Sequence, residues 1–217
     1  MTDTPHAADR DVQRTYNRIA SHFAKTREYP WPEVESFLDE ECAAPAVALD
    51  LGCGNGRHAE LLAAQAADVV CVDASTGLLS EARDRAAAND FDATLVAGDA
   101  ACVPVASGTV DIAVYVATLH HLRDRDARVA SLTELARVLA PEGTALVSAW
   151  STAHDRFDAT TGFDTTVDWT LPGGETVPRF YHVYDPDEFD ADLAASDLRV
   201  VSSTVSSGNC YAVVAPA

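Results

Sequence analysis

The residues of this chain with the clearest chemical use lie in the run Asp50-Leu51-Gly52-Cys53-Gly54-Asn55-Gly56. Glycine is wanted where backbone turns with positive φ or touches a ligand closely. A helix that starts just after such a turn offers free N–H groups and partial positive charge to an anionic group. Counted from Gly52, the third glycine of a dinucleotide fingerprint would fall at Arg57. The spacing is therefore G-x-G-x-G with an acid two residues ahead, not G-x-G-x-x-G. Asp73 follows 17 residues after Gly56, and a carboxylate at the end of the next strand can accept both hydroxyls of a ribose. Asp99 stands after a further short apolar segment. Each acid alone could equally cap a helix; all three in order, each at a predicted strand end, point to one ligand site outside the carboxyl ends of a parallel sheet. Farther on, His120-His121 can orient an acceptor or remove a proton, or simply pack at a strand end.

The elements that must position these groups alternate. Val12, Tyr16, Ile19, Ala20 and Phe23 fall at helical spacing, as do Val34, Phe37 and Leu38 after Pro30-Trp31-Pro32,. Strands are predicted over Ala46 to Asp50, Val69 to Val72, Thr94 to Ala97, Val110 to Val116 and Thr144 to Trp150, with helices after the first, second and fourth,. Pro141-Glu142-Gly143 should end the last of these helices,. Residues 151 to 178, rich in Thr, Asp and Gly, read as an insertion. A helix over Pro186 to Ala195 and two strands near Leu198 to Val205 and Cys210 to Val214 close the chain. The expectation is an α/β, Rossmann-like fold: a doubly wound, mostly parallel seven-stranded sheet with an antiparallel C-terminal strand. One domain spans 1–217, with a helical lid at 1–42, a binding core at 45–150, the insertion at 151–184 and the sheet end at 185–217.

The 217 residues carry a formal net charge of -19, and Lys25 is the one lysine beside 14 arginines. That composition suits an acidic surface kept soluble in concentrated salt and counts against a globally basic nucleic-acid binder. Residues 10 to 27 reverse the trend with Arg10, Arg14, Arg18, Lys25 and Arg27 against one acid, Asp11. They form either a solvated helix face paired with neighbouring acids or a track for phosphates. No long apolar run or leader pattern is visible, and the five cysteines form no C-x-x-C pair. The expectation is a cytoplasmic protein with reduced thiols and no metal site of its own.

The acid followed by G-x-G-x-G resembles motif I of the class I S-adenosylmethionine (SAM) methyltransferases. That resemblance implies SAM as cofactor, held by Asp50, Gly52, Cys53, Gly54, Asn55, Gly56, Asp73 and Ala74, by Asp99 and Ala100 at the adenine, and by Val116 and Ala117. After the fourth strand there is neither Asn/Asp-Pro-Pro-Tyr nor Pro-Cys, which removes two nitrogen- and carbon-methylating mechanisms. A more specific likeness runs through Tyr16 to Phe23, Thr26-Arg27, Pro30-Trp31-Pro32, Leu49 to His58, Asp99-Ala100, His120-His121 and Arg179-Phe180-Tyr181-His182. These segments resemble the tRNA wobble-uridine carboxymethyl methyltransferases, which methyl-esterify a carboxymethyl group and work with a small zinc-binding activator.

A carboxylate acceptor needs no base; it needs a cationic clamp in line with the methyl group. The resemblance implies Arg27, Arg179 and His182 for that clamp, with His120 beside them, and Tyr16, Trp31 and Tyr181 as walls or stacking platforms. Trp31 could instead be a core plug. Arg10, Arg14 and Arg18 would track phosphates. Departures at Glu28-Tyr29 and Gly208-Asn209-Cys210-Tyr211 bear on the RNA, not on SAM. Rival readings are a small-molecule O- or N-methyltransferase and a non-catalytic SAM-binding partner. The segment Ala93, Thr94, Leu95, Val96 and Ala97 should be an uncharged sheet edge, open to strand addition by the activator, to this protein's own N-terminal segment or to a second copy.

Overall fold

A computed structural model describes residues 7–40 and 44–217. Seven strands form one sheet in the order β3-β2-β1-β4-β5-β9-β8. They are β1 (Val47–Leu51), β2 (Asp68–Asp73), β3 (Thr94–Ala97), β4 (Val110–Val116), β5 (Leu139–Trp150), β8 (Leu198–Ser206) and β9 (Asn209–Pro216). The first five run parallel; β9 pairs antiparallel with β5 and β8 antiparallel with β9. This is the doubly wound, mostly parallel sheet expected from the alternating pattern, with the switch of direction at the C-terminal end.

Strand periodicity of two decides the layers. Ala113 and Tyr115 of β4, with Ala145, Val147 and Ala149 of β5, turn to one face, where α5 (Arg125–Val138) and α6 (Pro186–Ala194) supply Leu132, Leu135, Phe189 and Leu193. Ile112, Val114, Val116 and Leu146 turn to the other, under α2 (Pro32–Glu40), α3 (Arg57–Ala63) and α4 (Thr76–Asn89). Local signals start the helices. Ser75 caps α4 by accepting from the Leu78 N–H at 3.1 Å, and Asp185 caps α6 ahead of Pro186,. The amphipathic α1 (Ala7–Ala24) lies on α4, where Tyr16, Ile19 and Ala20 meet Leu78.

Two expectations need correction. The fifth strand begins at Leu139, not Thr144, because the chain leaves α5 directly into pairing with Val110 and the register then shifts before Thr144 meets Ile112. Gly143 permits that crowding: a Cβ there would stand 2.6 Å from the Val110 carbonyl oxygen. Within 151–178, residues 163–170 are not loose insertion. They form β6 (Phe163–Thr170), which pairs antiparallel with β7 (Thr176–Val183) as a separate two-stranded sheet. Its polar outward residues Asp164, Thr166 and Asp168 hide the alternation in sequence. No helix among the described residues is long and apolar enough to cross a membrane.

Candidate active site

The glycine turn leaves the end of β1 with Gly52, Gly54 and Gly56 at φ of 73°, 55° and 75°. That left-handed backbone is strained for any side chain. At Gly52 a Cβ would stand 2.1 Å from Thr118 Oγ1, so the turn packs directly on the chain beyond β4. At Gly54 a Cβ would meet nothing within 4 Å, and this residue borders a cavity of about 720 Å³. Asp73 reaches the same cavity from the end of β2. One carboxylate oxygen accepts the Gly54 N–H at 2.8 Å and the other the Ser75 N–H at 2.7 Å, which leaves each a lone pair for a ligand hydroxyl. Burial raises the Asp73 pKa. Asp99 borders the cavity with Oδ1 on the Ala101 N–H at 2.9 Å. Cys53, Asn55, Ala74, Ala100, Val116 and Ala117 line it too. Ala117 has φ 55°, a strained value for a non-glycine residue of the kind that collects at functional sites.

Asp50 and Gly56 sit outside this wall. Asp50 is buried behind the turn with one oxygen unpartnered, its pKa pushed up to about 7 by burial and then by the neighbouring Asp73 charge. Gly56 starts α3 and packs on Ala82. Asn55 has a task the sequence did not disclose: its amide donates to the Arg27 carbonyl at 2.9 Å and the Ala24 carbonyl at 3.3 Å. The glycine turn thus holds the segment that presents Arg27.

The cavity continues to a second wall built from Tyr16, Phe23, Arg27 and Trp31, the short helical turn Leu119–His121, Trp150, and Arg179 and Tyr181 of β7. Four polar groups there form one directed chain. Arg179 donates to the Tyr181 hydroxyl at 2.5 Å, and Tyr181 and Tyr16 hydroxyls lie 3.5 Å apart. Tyr16 and His121 Nε2 are 2.9 Å apart, and His121 Nδ1 meets the Phe180 carbonyl at 2.9 Å. The carbonyl can only accept, so Nδ1 carries the proton and Nε2 accepts from Tyr16. Burial pushes the His121 pKa down to about 4 and raises that of Tyr16. His120 accepts the Trp150 N–H on Nδ1 at 3.0 Å, which puts its proton on Nε2; burial, then the neighbouring His121 and Arg179, hold its pKa well below the usual value.

Arg179 is the unusual member. It is 8% exposed, its Nε is buried with no partner, and it makes no ion pair among the described residues. A buried cation without a counter-charge is costly. The half-buried Arg27 side chain hydrogen-bonds only to Thr26 and makes no ion pair among the described residues. Both guanidiniums lie over the Trp169 ring, at 4.8 and 5.9 Å from its centroid. Trp169 gives little signal in the sequence, because it lies in a stretch that reads as insertion; the Pro172-Gly173-Gly174 turn beside it is the hairpin signal there,.

Three expected substrate residues do not join this wall. His182 is buried below it with Nδ1 on Asp164 at 2.8 Å and Nε2 on Glu188 at 3.0 Å, so both ring nitrogens are committed to the hairpin and α6. Arg14 is exposed against Asp11, and Arg18 pairs with Glu175. They behave as the solvated alternative, because acids stand within reach of both. The Arg10 side chain and Cys42 lie outside the described residues. Trp31 lines the cavity and also packs edge-on to His58 and Tyr211, combining both of its expected roles.

A family model for the methyltransferase domain matches residues 48–143. The tRNA (carboxymethyluridine(34)-5-O)-methyltransferase of Schizosaccharomyces pombe is 30% identical over 166 residues, covering 74% of this chain and 68% of that protein. The chain belongs to the class I SAM-dependent methyltransferases. The tRNA (carboxymethyluridine(34)-5-O)-methyltransferase of Mus musculus is 37% identical over 140 residues, 64% of this chain, and the match spans about a fifth (20%) of that longer protein. The CcbJ methyltransferase of Streptomyces caelestis superposes with TM-score 0.74 over 95% of this chain and 99% of that one at 22% identity, which shows the fold.

The residues present fit SAM. The space over Gly54 and the carboxylates of Asp73 and Asp99 on one cavity wall suit a nucleoside with a charged amino-acid tail. Asp73 would take the ribose hydroxyls and Asp99 the adenine amino group. When bound, SAM supplies an electrophilic methyl group on a sulfonium. This methyltransferase would hold SAM from its strand ends; across the cavity stands a wall of histidines, tyrosines and arginines that make no ion pair among the described residues.

Proposed function

We propose that this methyltransferase esterifies a carboxylate carried on tRNA, the carboxymethyl group of a wobble uridine. The carrying observation is Arg179, a buried guanidinium with a free Nε in the cavity wall of a protein of net charge -19. An anionic acceptor oxygen is the partner that would neutralise it, and Arg27 adds the second cation. The tautomers support the same reading. His120 offers an Nε2–H, and the His121 lone pair is taken by Tyr16. Neither imidazole is set to remove a proton, which a hydroxyl acceptor requires and a carboxylate does not. His120 would then act as a donor to the acceptor. Arg27, Arg57, Arg156 and Arg179 all border the cavity without an ion pair among the described residues, which favours a polyanion.

The relatives named above act on carboxymethyluridine in tRNA, and that substrate is carried to this chain as part of the proposal. The zinc-binding activator, implied by the sequence resemblance alone, is a further part of the proposal. Its support is that β3 is the outer strand of the sheet, with Thr94 and Ala97 exposed and no charge between them. The test is methyl transfer from labelled SAM to tRNA bearing carboxymethyluridine, read by nucleoside mass spectrometry, with and without the activator in concentrated KCl. Formation of the methyl ester supports the reading. Transfer to uncarboxylated tRNA at equal rate, or to neither, removes it. Loss of the heterodimer on Leu95→Pro would support the β3 edge; survival would move the activator elsewhere.

A further inference from the structure

Trp169 does not border the cavity, yet it touches both cations of the wall. The hairpin register explains how. Val167 stands opposite Arg179 and Trp169 opposite Val177, so Trp169 and Arg179 are diagonal neighbours on one face,. Arg27 arrives from the chain just beyond α1 and lies between two packed rings, 4.9 Å from the centroid of Phe23 and 5.9 Å from that of Trp169. Two guanidiniums brought together repel, more strongly where water is excluded. The negative face of an aromatic ring attracts both and is uncharged itself. The indole is in turn held in place. Its N–H donates to His22 Nδ1 at 3.0 Å, and the His22 and Phe23 rings pack at 5.5 and 5.4 Å.

We propose that Trp169 is the positioning residue of the anion clamp: it holds the Arg27 and Arg179 guanidiniums against one ring, so that they act on the acceptor carboxylate as a pair. This rests on the reading of Arg27 and Arg179 as that clamp. It makes the β6–β7 hairpin a determinant of acceptor choice, because an acceptor without negative charge gains nothing from paired cations. An acid at this position would pair with the arginines and occupy them; an aromatic ring gathers them and leaves their charge free for the substrate.

The experiment compares Trp169→Leu, which keeps apolar bulk and removes the π face, with Trp169→Phe, which keeps a π face and removes the indole N–H. On carboxymethyluridine tRNA the Leu variant should lose about tenfold in kcat and the Phe variant should regain most of it, with SAM affinity within about twofold of wild type in both. Equal losses in the two variants, or full turnover in Leu, overturn the proposal. A second measurement needs no substrate. The side-chain protons of both Arg27 and Arg179 should show ring-current shifts in the NMR spectrum that shrink in Trp169→Leu, leaving the part due to the Phe23 and Tyr181 rings. Shifts unchanged by Trp169→Leu for either arginine overturn the proposal. If the wild type leaves that tRNA unmethylated while both shifts depend on Trp169, the acceptor reading fails and the positioning by Trp169 stands.

Discussion

The two walls of the cavity are built by opposite means. The wall proposed for the cofactor is made of backbone and short acids at the ends of β1, β2 and β3, with its main contacts between residues 52 and 100, and the one across from it is proposed for the acceptor. The acceptor wall is made of long side chains from α1, the turn after β4 and β7. Its hydrogen bonds join residues 105 and 165 positions apart, Tyr16 to His121 and Tyr16 to Tyr181. A parallel sheet fixes where its strands end, so a ligand read by strand ends can be held in the same way across many chemistries. An acceptor read by side chains from three separate elements can be changed without touching the sheet. On the proposed reading, the acceptor-specific part of this methyltransferase lies in α1, the turn after β4 and the β6–β7 hairpin.

The largest effect should break the acceptor wall alone. Arg179→Ala removes the buried cation and should lower turnover on a carboxylate acceptor by about a hundredfold or more, since charge-assisted hydrogen bonds are worth roughly 1.5–3 kcal/mol each. Arg179→Lys should recover little, because an ammonium cannot make the planar two-point contact. SAM affinity by calorimetry should stay near wild type. A matching loss of SAM binding would mean that the two walls are not separable.

The reciprocal break is Asp73→Ala. It should weaken SAM binding by roughly 1.5–3 kcal/mol, about ten- to a hundredfold in Kd, and also release the Gly54 N–H that Asp73 now holds. At saturating SAM, turnover should recover most of the wild-type value. Unchanged SAM affinity would remove Asp73 from the ribose site. A smaller effect should come from Tyr16→Phe, which cuts the chain from Arg179 to His121. The net worth of such a hydrogen bond is about 1 kcal/mol, so turnover should fall severalfold with little change in SAM affinity. Full activity would show that the chain orders nothing that the reaction needs.

What was legible follows the same division. The glycine turn, Asp73 and Asp99 could be read because contiguous or evenly spaced residues announce strand ends, and the mostly parallel sheet with its antiparallel close followed from the alternating pattern, whereas the place of β3 at the sheet edge came from the family likeness. Tyr16, Arg27, Arg179 and Tyr181 were reached through family likeness, since nothing in local spacing says that residues so far apart share a wall. His182 shows the cost of that route. It sits in the same motif as Arg179 and Tyr181, but strand alternation turns it to the other side of the hairpin, where Asp164 and Glu188 take both nitrogens,. Trp169 and the Asn55 link to Arg27 needed coordinates, because each acts through tertiary contacts of otherwise ordinary residues.

The finest test sets His121 in the second wall against Asp50, buried behind the glycine turn, by their response to protons, and their signs differ. His121 has its pKa pushed down to about 4 from 6.5. Below pH 6.5 the unfolded chain binds a proton that the folded chain refuses, so its contribution to stability is present above 6.5 and is lost as pH falls towards 4. Asp50, behind the glycine turn, has its pKa raised from 3.8 to about 7. Between those values the folded state keeps a proton that the unfolded state releases, so its contribution is present below 3.8 and is lost as pH rises to 7. The many other acids obscure both effects in the wild type alone but largely cancel in differences between variants. Denaturant midpoints of wild type, Asp50→Asn and His121→Gln, measured from pH 4 to 8 at fixed salt, separate them. Relative to wild type, Asp50→Asn should gain stability steadily from about pH 4 and level off above about 7, because asparagine never carries the buried charge. His121→Gln should gain relative to wild type in the opposite direction, as pH falls from 6.5 to 4. Parallel curves for Asp50→Asn and wild type would mean that Asp50 ionises as readily folded as unfolded, and the proton held beneath the glycine turn would be absent.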